Sequence, residues 1–493
     1  MINYVNSHNL RPTSRESVNR FAVRPEPAEL VPVAVVSPEL IQAFSMQPAV
    51  VAGIVVPSEP EPESGLKNAS AEVFRKSFCD QLKTAGRYNP RGIKRWVILA
   101  IESGKPVQLT AVDSEGIVRS EVDTIGETAG CARVIVSEKS LATVAGKLKT
   151  DFLMIHLDER TEIQTDSKGN KKTVPVCSVR IVSGESEFCL PAESVDGFPE
   201  IESGTAFHAV KNWTDKPFGA TFAQTVSAAD VIESIRRVEY ASDAESTRYA
   251  LAGICLEFNV DQITFAATDA CRLSIVEQPA GILGTMPEDF SATAHVLPAV
   301  MVQQLSELAK RIPADSPICF AYSGTEFVIE SAGFSIRCLM LEGRFPRFRQ
   351  IVPTSSSVQI TFSRKELIES IESAAVVRTD DCRGIDFRFY ANESGELTGT
   401  SLHCESPELG KSNVPVNCRP SGNMSDRHLK NDSGEITERG ESESFDVKYV
   451  LEFLKSTKTD CVHLAMNAAG MPAVFTDDSG LNAKYILMPL SRD

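Results

Sequence analysis

Five consecutive residues, Thr268-Asp269-Ala270-Cys271-Arg272, hold the densest chemistry in the chain. A thiol, a carboxylate and a guanidinium lie side by side at the break of the run ITFAATDACRLSIV (263–276). A cysteine nucleophile needs a base, most often histidine, within hydrogen-bond reach. No histidine lies near Cys271 in sequence, so thiol catalysis requires a partner brought from elsewhere in the fold. Iodoacetamide reactivity of Cys271, measured against the other thiols, discriminates this reading. The alternative is structural. Two β-type runs meet at a corner, and Asp269 accepts hydrogen bonds from the backbone just beyond it in an Asx turn. Asp113, in the similar stretch VQLTAVDSEG, occupies a matching corner and favours that second reading.

Three kinds of element recur around such corners. Amphipathic helices are predicted at AADVIESIRRVEY (228–240) and RKELIESIESAAV (364–376), with a looser version at AEVFRKSFCDQLKTA (71–85). In the first, Val231, Ile235 and Val238 recur at helical spacing, while Glu233, Arg236, Arg237 and Tyr240 fall on the opposite face. A strand–helix–turn–strand unit begins at residues 132, 294 and 444, and corner strands begin at 107, 263 and 397. The three sets come in the same order three times, an internal repeat of about 130 to 150 residues. The predicted division is a Pro-rich extension without regular structure over 1–66, then repeats over 67–215, 216–353 and 354–493. The polar stretch at about 405–443 reads as a long surface loop in the third repeat.

The chain has 493 residues, 42% hydrophobic and 24% charged, with a net charge of −16. That acidity argues against indiscriminate adhesion to DNA but permits a local basic lining. The 12 cysteines occur singly with no CxxC pair, so no zinc ribbon or dithiol redox motif is expected, and most read as small buried hydrophobes. No GxGxxG, GxxxxGK[ST], HExxH or GxSxG motif is present. The expectation is a protein without catalytic residues, cofactor or metal. The polar opening MINYVNSHNLRPTSRES is not a secretory signal, and the apolar stretch 49–56 is too short to span a bilayer, so a cytoplasmic location is expected, without a membrane partner.

Four stretches then carry a family resemblance: STRYALAGICLEF (246–258), ATDACRLSIV (267–276), LEGRFPRFRQIVP (341–353) and AKYILMPL (483–490). In order and spacing they resemble the β sliding clamp of bacterial DNA polymerase III, over about residues 68–493. The resemblance implies an α+β chain of three similar clamp domains, with antiparallel sheets outside and two helices each inside, joined head to tail as a homodimeric ring. It implies a DNA sliding clamp that encircles duplex DNA without reading sequence and raises processivity by tethering. The implied partners are double-stranded DNA, the polymerase III catalytic subunit, an ATP-dependent clamp loader and other proteins carrying a clamp-binding peptide.

On that resemblance the opening corner belongs to a hydrophobic peptide pocket. The implied residues are Leu251, Thr268, Ala270, Cys271, Arg272 and Leu273, with Pro346 and Ile351 from the linker. Tyr449, Met471, Pro472, Ile486, Met488, Pro489 and Leu490 complete it from the third domain. Thr268 and Arg272 would orient the peptide backbone. Candidate DNA contacts are Arg87, Arg91, Lys147, Lys149, Arg236, Arg237, Arg248, Tyr249, Lys310 and Arg311, with Lys455 and Lys458 near the last helix. The chain departs from the family where Ala270-Cys271 replaces the usual Gly-His. It departs also at Cys382, Gln350 and Asp446, and where it runs on through Ser491-Arg492-Asp493. These departures support a second reading, a divergent clamp paralogue with a regulatory or repair role and altered pocket specificity.

Overall fold

The computed structural model describes residues 67–490 except 89–95, 113–115, 166–170, 196–221, 244–250, 285–292, 324–325, 342–343, 354–355, 357, 423–427, 431–435 and 468–469. The amino-terminal extension, Asp113, Arg91, Arg248 and Tyr249 therefore lie outside the described residues, as does the side chain of Arg87.

Six α-helices fall in three pairs: α1 (Arg75–Tyr88) with α2 (Glu138–Lys147), α3 (Ala228–Val238) with α4 (Ala299–Ala309), and α5 (Arg364–Ala374) with α6 (Val447–Ser456). Most follow directly on a strand, with the boundary set by a side-chain cap. Ser137 accepts from Ser140 N at 3.3 Å, Ser227 from Asp230 N at 3.1 Å, and Asp446 from Lys448 N at 2.9 Å. Each cap satisfies one of the unpaired N–H groups of a first turn, a contribution of about 1 kcal/mol. Asp446 thus does the work expected of an asparagine at the same place. The buried stripe on α3 is the one the spacing predicts, Val231, Ile235 and Val238; on α5 Leu367, Ile371 and Ala374 are buried. The looser first helix starts later than predicted. Ala71–Phe74 pairs as strand with 152–155 before α1 begins at Arg75.

The helices pack on three sheets, two of which cross the repeat boundaries. A 13-stranded sheet is fused where Gly116–Val122 of the first repeat pairs antiparallel with Phe334–Leu339 of the second, in the register Val118↔Ile336. A 9-stranded sheet is fused likewise where Arg272–Pro279 pairs with Asn482–Leu487, in the register Leu273↔Ile486. The third repeat keeps a 5-stranded sheet whose last strand, Gly410–Val416, pairs on one side only among the described residues.

One expectation is overturned here. The stretch 405–443 is not a long loop: Leu397–Ser406, Gly410–Val416, Cys418–Gly422, His428–Lys430 and Ile436–Asp446 are paired strands. Its polarity reflects strands with one wet face. On the last of them Glu441, Glu443 and Phe445 are buried in alternation with half-buried neighbours. The third core beneath is largely aromatic, with Phe387 against Phe445 and Phe453 stacked on Tyr485 at 5.2 Å. Burying each such ring contributes about 2–3 kcal/mol before entropy is counted. No helix among the described residues is long and apolar enough to cross a membrane.

Candidate functional site

The corner forms where Gln262–Thr268 turns into Arg272–Pro279. Ala270 takes φ 77°, the only non-glycine among the described residues with positive φ. A Cβ in this region is crowded against the following carbonyl, so a side chain here is strained. Asp269 holds the turn. Its Oδ1 accepts from Cys271 N at 2.9 Å and Arg272 N at 3.0 Å, the Asx arrangement expected. Its Oδ2 accepts from Arg272 Nε at 2.9 Å. The Thr268 hydroxyl accepts from Ala270 N at 3.1 Å and donates to Arg272 O.

Arg272 is a clasp between repeats. Its guanidinium is buried, donates to Glu452 on α6 and to the carbonyl of Tyr240, and lies 4.0 Å from the centre of the Tyr449 ring. Burial alone would weaken its charge, but Glu452 and Asp269 overcome that and hold it protonated. Burial, aided by Asp269, in turn pushes the Tyr449 phenol up to about 12. The Thr268 hydroxyl and three of the Arg272 N–H groups bond inside the protein, so both residues shape the corner.

Around this corner the two repeats meet tightly. Met488 N donates to Cys271 O at 3.0 Å across the junction, and Leu490 N to Ser444 O at 2.7 Å within the third repeat. Leu273 and Ile486 share a small core with Phe345 and Phe348 of the linker. Above it, Ile351, Met471 and Met488 stay 40–52% exposed, an apolar rim that a folded surface normally avoids. Pro346 and Cys271 are also exposed, Pro489 and Leu490 half-buried, and Leu251 buried. Pro472 lines an adjoining cleft of about 140 Å³ with Pro353, Met466, Val474 and Lys484.

The phosphate-facing candidates divide. Lys147, Lys149 and Lys310 are exposed at helix ends. Arg237 is not: it is 4% exposed and paired with Glu233 and with Asp477, whose side chain is 1% exposed. Arg236 donates to Glu233 and to the carbonyl of Ser456. Arg311 reaches Gln81 of the first repeat at 2.7 Å. These three arginines join repeats. Helical spacing placed Arg236 and Arg237 on a polar face; it gave no sign that another repeat covers that face. Burial opposes ionisation of Asp477, yet hydrogen bonds from Ser479 and Thr457 and the Arg237 charge hold its carboxyl below the ordinary value. Sequence reasoning also missed Glu452 and the linker aromatics. The spacing of Tyr449 and Glu452, one turn apart on α6, was the available signal.

Comparison with known proteins agrees with this geometry. Residues 225–347 match the central domain of the DNA polymerase III beta subunit. The beta sliding clamp of Synechocystis sp. is 25% identical over 365 residues, 72% of this chain and 83% of that one. That of Vibrio cholerae is 21% identical over 395 residues, 80% of this chain and 91% of that one. Among solved structures, the DNA polymerase III beta subunit of Thermotoga maritima superposes with a TM-score of 0.65 at 16% identity, covering 86% of this chain and all of that one. The sliding clamp of Pseudomonas aeruginosa bound to griselimycin gives 0.66 at 18%, with the same coverage. The fused sheets and paired helices are thus those of the sliding-clamp class. Within that class, the chain is similar to the beta sliding clamps of DNA polymerase III, whose central-domain model its residues 225–347 match.

Proposed function

We propose that the protein is a DNA sliding clamp. Two copies close into a ring around duplex DNA, and the corner between the second and third repeats captures short peptides from polymerase, loader and other partners. The observation that carries this is the repeated junction. In the chain, a corner strand of one repeat pairs twice with the last strand of the next: 116–122 with 334–339, and 272–279 with 482–487. The same pairing made a third time would join Gly410–Val416 to Ser186–Ser194, and Gly410–Val416 is a sheet edge among the described residues. Apolar side chains stand exposed beside both strands: Phe188 at 39%, Leu409 at 55% and Val376 at 74%. A second copy, turned by a twofold, pairs Gly410–Val416 with the open part of the first repeat's last strand, 186–191, since 192–194 already pairs with 134–136, and leaves a closed ring. The proposed domains are the three repeats, 67–215, 216–353 and 354–493. A ring holds DNA by topology, so loose attraction from Lys147, Lys149 and Lys310 is enough. The corner contributes recognition and not catalysis, since Asp269 is committed to backbone N–H groups and to Arg272.

Loading onto nicked circular DNA with a bacterial clamp loader and ATP tests the proposal. The protein should stay on the circle at raised salt and leave when the circle is cut. Equal, salt-sensitive binding to circle and linear DNA would overturn it.

A further inference from the structure

The linker between the second and third repeats forms one wall of the apolar rim; Phe345 and Phe348 anchor it in the core, and Arg349 ties it to the sheet surface. Arg349 lies in the short 3-10 turn Phe348–Gln350, between the wall residues Pro346 and Ile351. Its guanidinium reaches down to the second repeat's sheet. Nε donates to Glu257 at 2.9 Å, Nη1 to Glu277 at 2.9 Å, and Nη2 to Thr264 at 3.2 Å. Glu277 also accepts from Asn482 of the third repeat, so the carboxylate that holds the fork also bonds across the junction. The sequence around the turn gives it little other anchorage toward solvent. Phe345 and Phe348 sink into the shared core while Pro346, Arg347 and Gln350 are exposed.

We propose that Arg349, clasped by Glu257 and Glu277, is a positioning residue for the peptide pocket, holding the linker wall at the spacing a peptide side chain needs. The inference rests on the pocket reading given above. A planar fork suits the task because it bonds two carboxylates at fixed geometry, which a lysine ammonium cannot reproduce. Both acceptor carboxylates are mostly covered while the arginine is half exposed, so the clasp fixes a surface segment without filling the core. Glu257, Glu277 and Arg349 contact no proposed peptide subsite; they act through Pro346 and Ile351.

Calorimetric titration with griselimycin tests this. Wild-type protein should bind, and Met488→Asp, at the exposed rim, should abolish binding and so locate the ligand. Arg349→Ala should weaken binding about tenfold while the unfolding midpoint moves little, and Arg349→Lys should recover only part of the loss. Adding Glu277→Ala to Arg349→Ala should cost almost nothing further, the signature of a coupled pair. Arg349→Ala binding as tightly as wild type, or equal losses from every linker substitution in proportion to lost stability, would overturn the positioning role. Failure of the wild type to bind would overturn the pocket reading itself.

Discussion

At the scale of single residues, Ala270 is the sharpest departure. The corner demands φ 77°, and the resembling family usually supplies glycine there. Ala270→Gly should relieve the left-handed strain and raise stability by about 1 kcal/mol, seen as a higher denaturation midpoint with unchanged DNA retention. A lower midpoint would mean the alanine methyl earns more by packing than it loses by strain. His295 offers a pH test. It is packed against Phe258, Tyr322 and Phe327, and burial lowers its pKa below the ordinary 6.5. The unfolded chain therefore takes up a proton below pH 6.5 that the folded chain refuses. Stability should be full above that pH and fall as pH drops below 6.5 toward the folded value. His295→Phe should flatten that part of the stability profile; an unchanged profile would assign the slope to other groups.

At the scale of elements, helices and corner strands were legible because their periodicities are strong and occur three times over. Val231, Ile235 and Val238 had to face a core whatever the fold. What the spacing did not disclose was the second neighbour of the same helix. Arg236 and Arg237 look solvent-facing on a helical wheel, and only the junction with Asp477 and Ser456 covers them. The stretch 405–443 misled for a related reason. Its polar residues sit in paired strands, some exposed and some, as Glu441 and Glu443, buried, which composition alone does not separate from a loop. The corrected roles make opposite predictions for residues of equal charge. Arg237→Ala leaves Asp477 buried without its partner and should destabilise by about 3 kcal/mol or more. Lys147→Ala with Lys149→Ala should leave thermal unfolding unchanged and lower only the salt tolerance of loading. A mild effect of Arg237→Ala on stability would count against the buried clasp.

At the scale of the whole molecule, the open seam is the decisive feature. The order of helices and corner strands was readable in the sequence, and so was the resemblance to the sliding clamps, from four separated stretches. The fusion of sheets across repeat junctions was not, because strand partners hundreds of residues apart leave no local mark. If the seam closes between copies, Phe188→Asp on one edge or Val376→Asp on the other should each give a monomer by sedimentation without lowering the unfolding midpoint. Dimers persisting in both variants would place the interface elsewhere. The pairing of 116–122 with 334–339 and of 272–279 with 482–487 has a mechanical corollary as well. Pulling two repeats of one chain apart means shearing a ladder of backbone hydrogen bonds together, with a covalent linker still holding behind it. A seam between copies has a similar ladder but no such backup. A ring closed by two copies would therefore hold four junctions backed by a covalent linker and two seams without one, and strain would open it first at a seam.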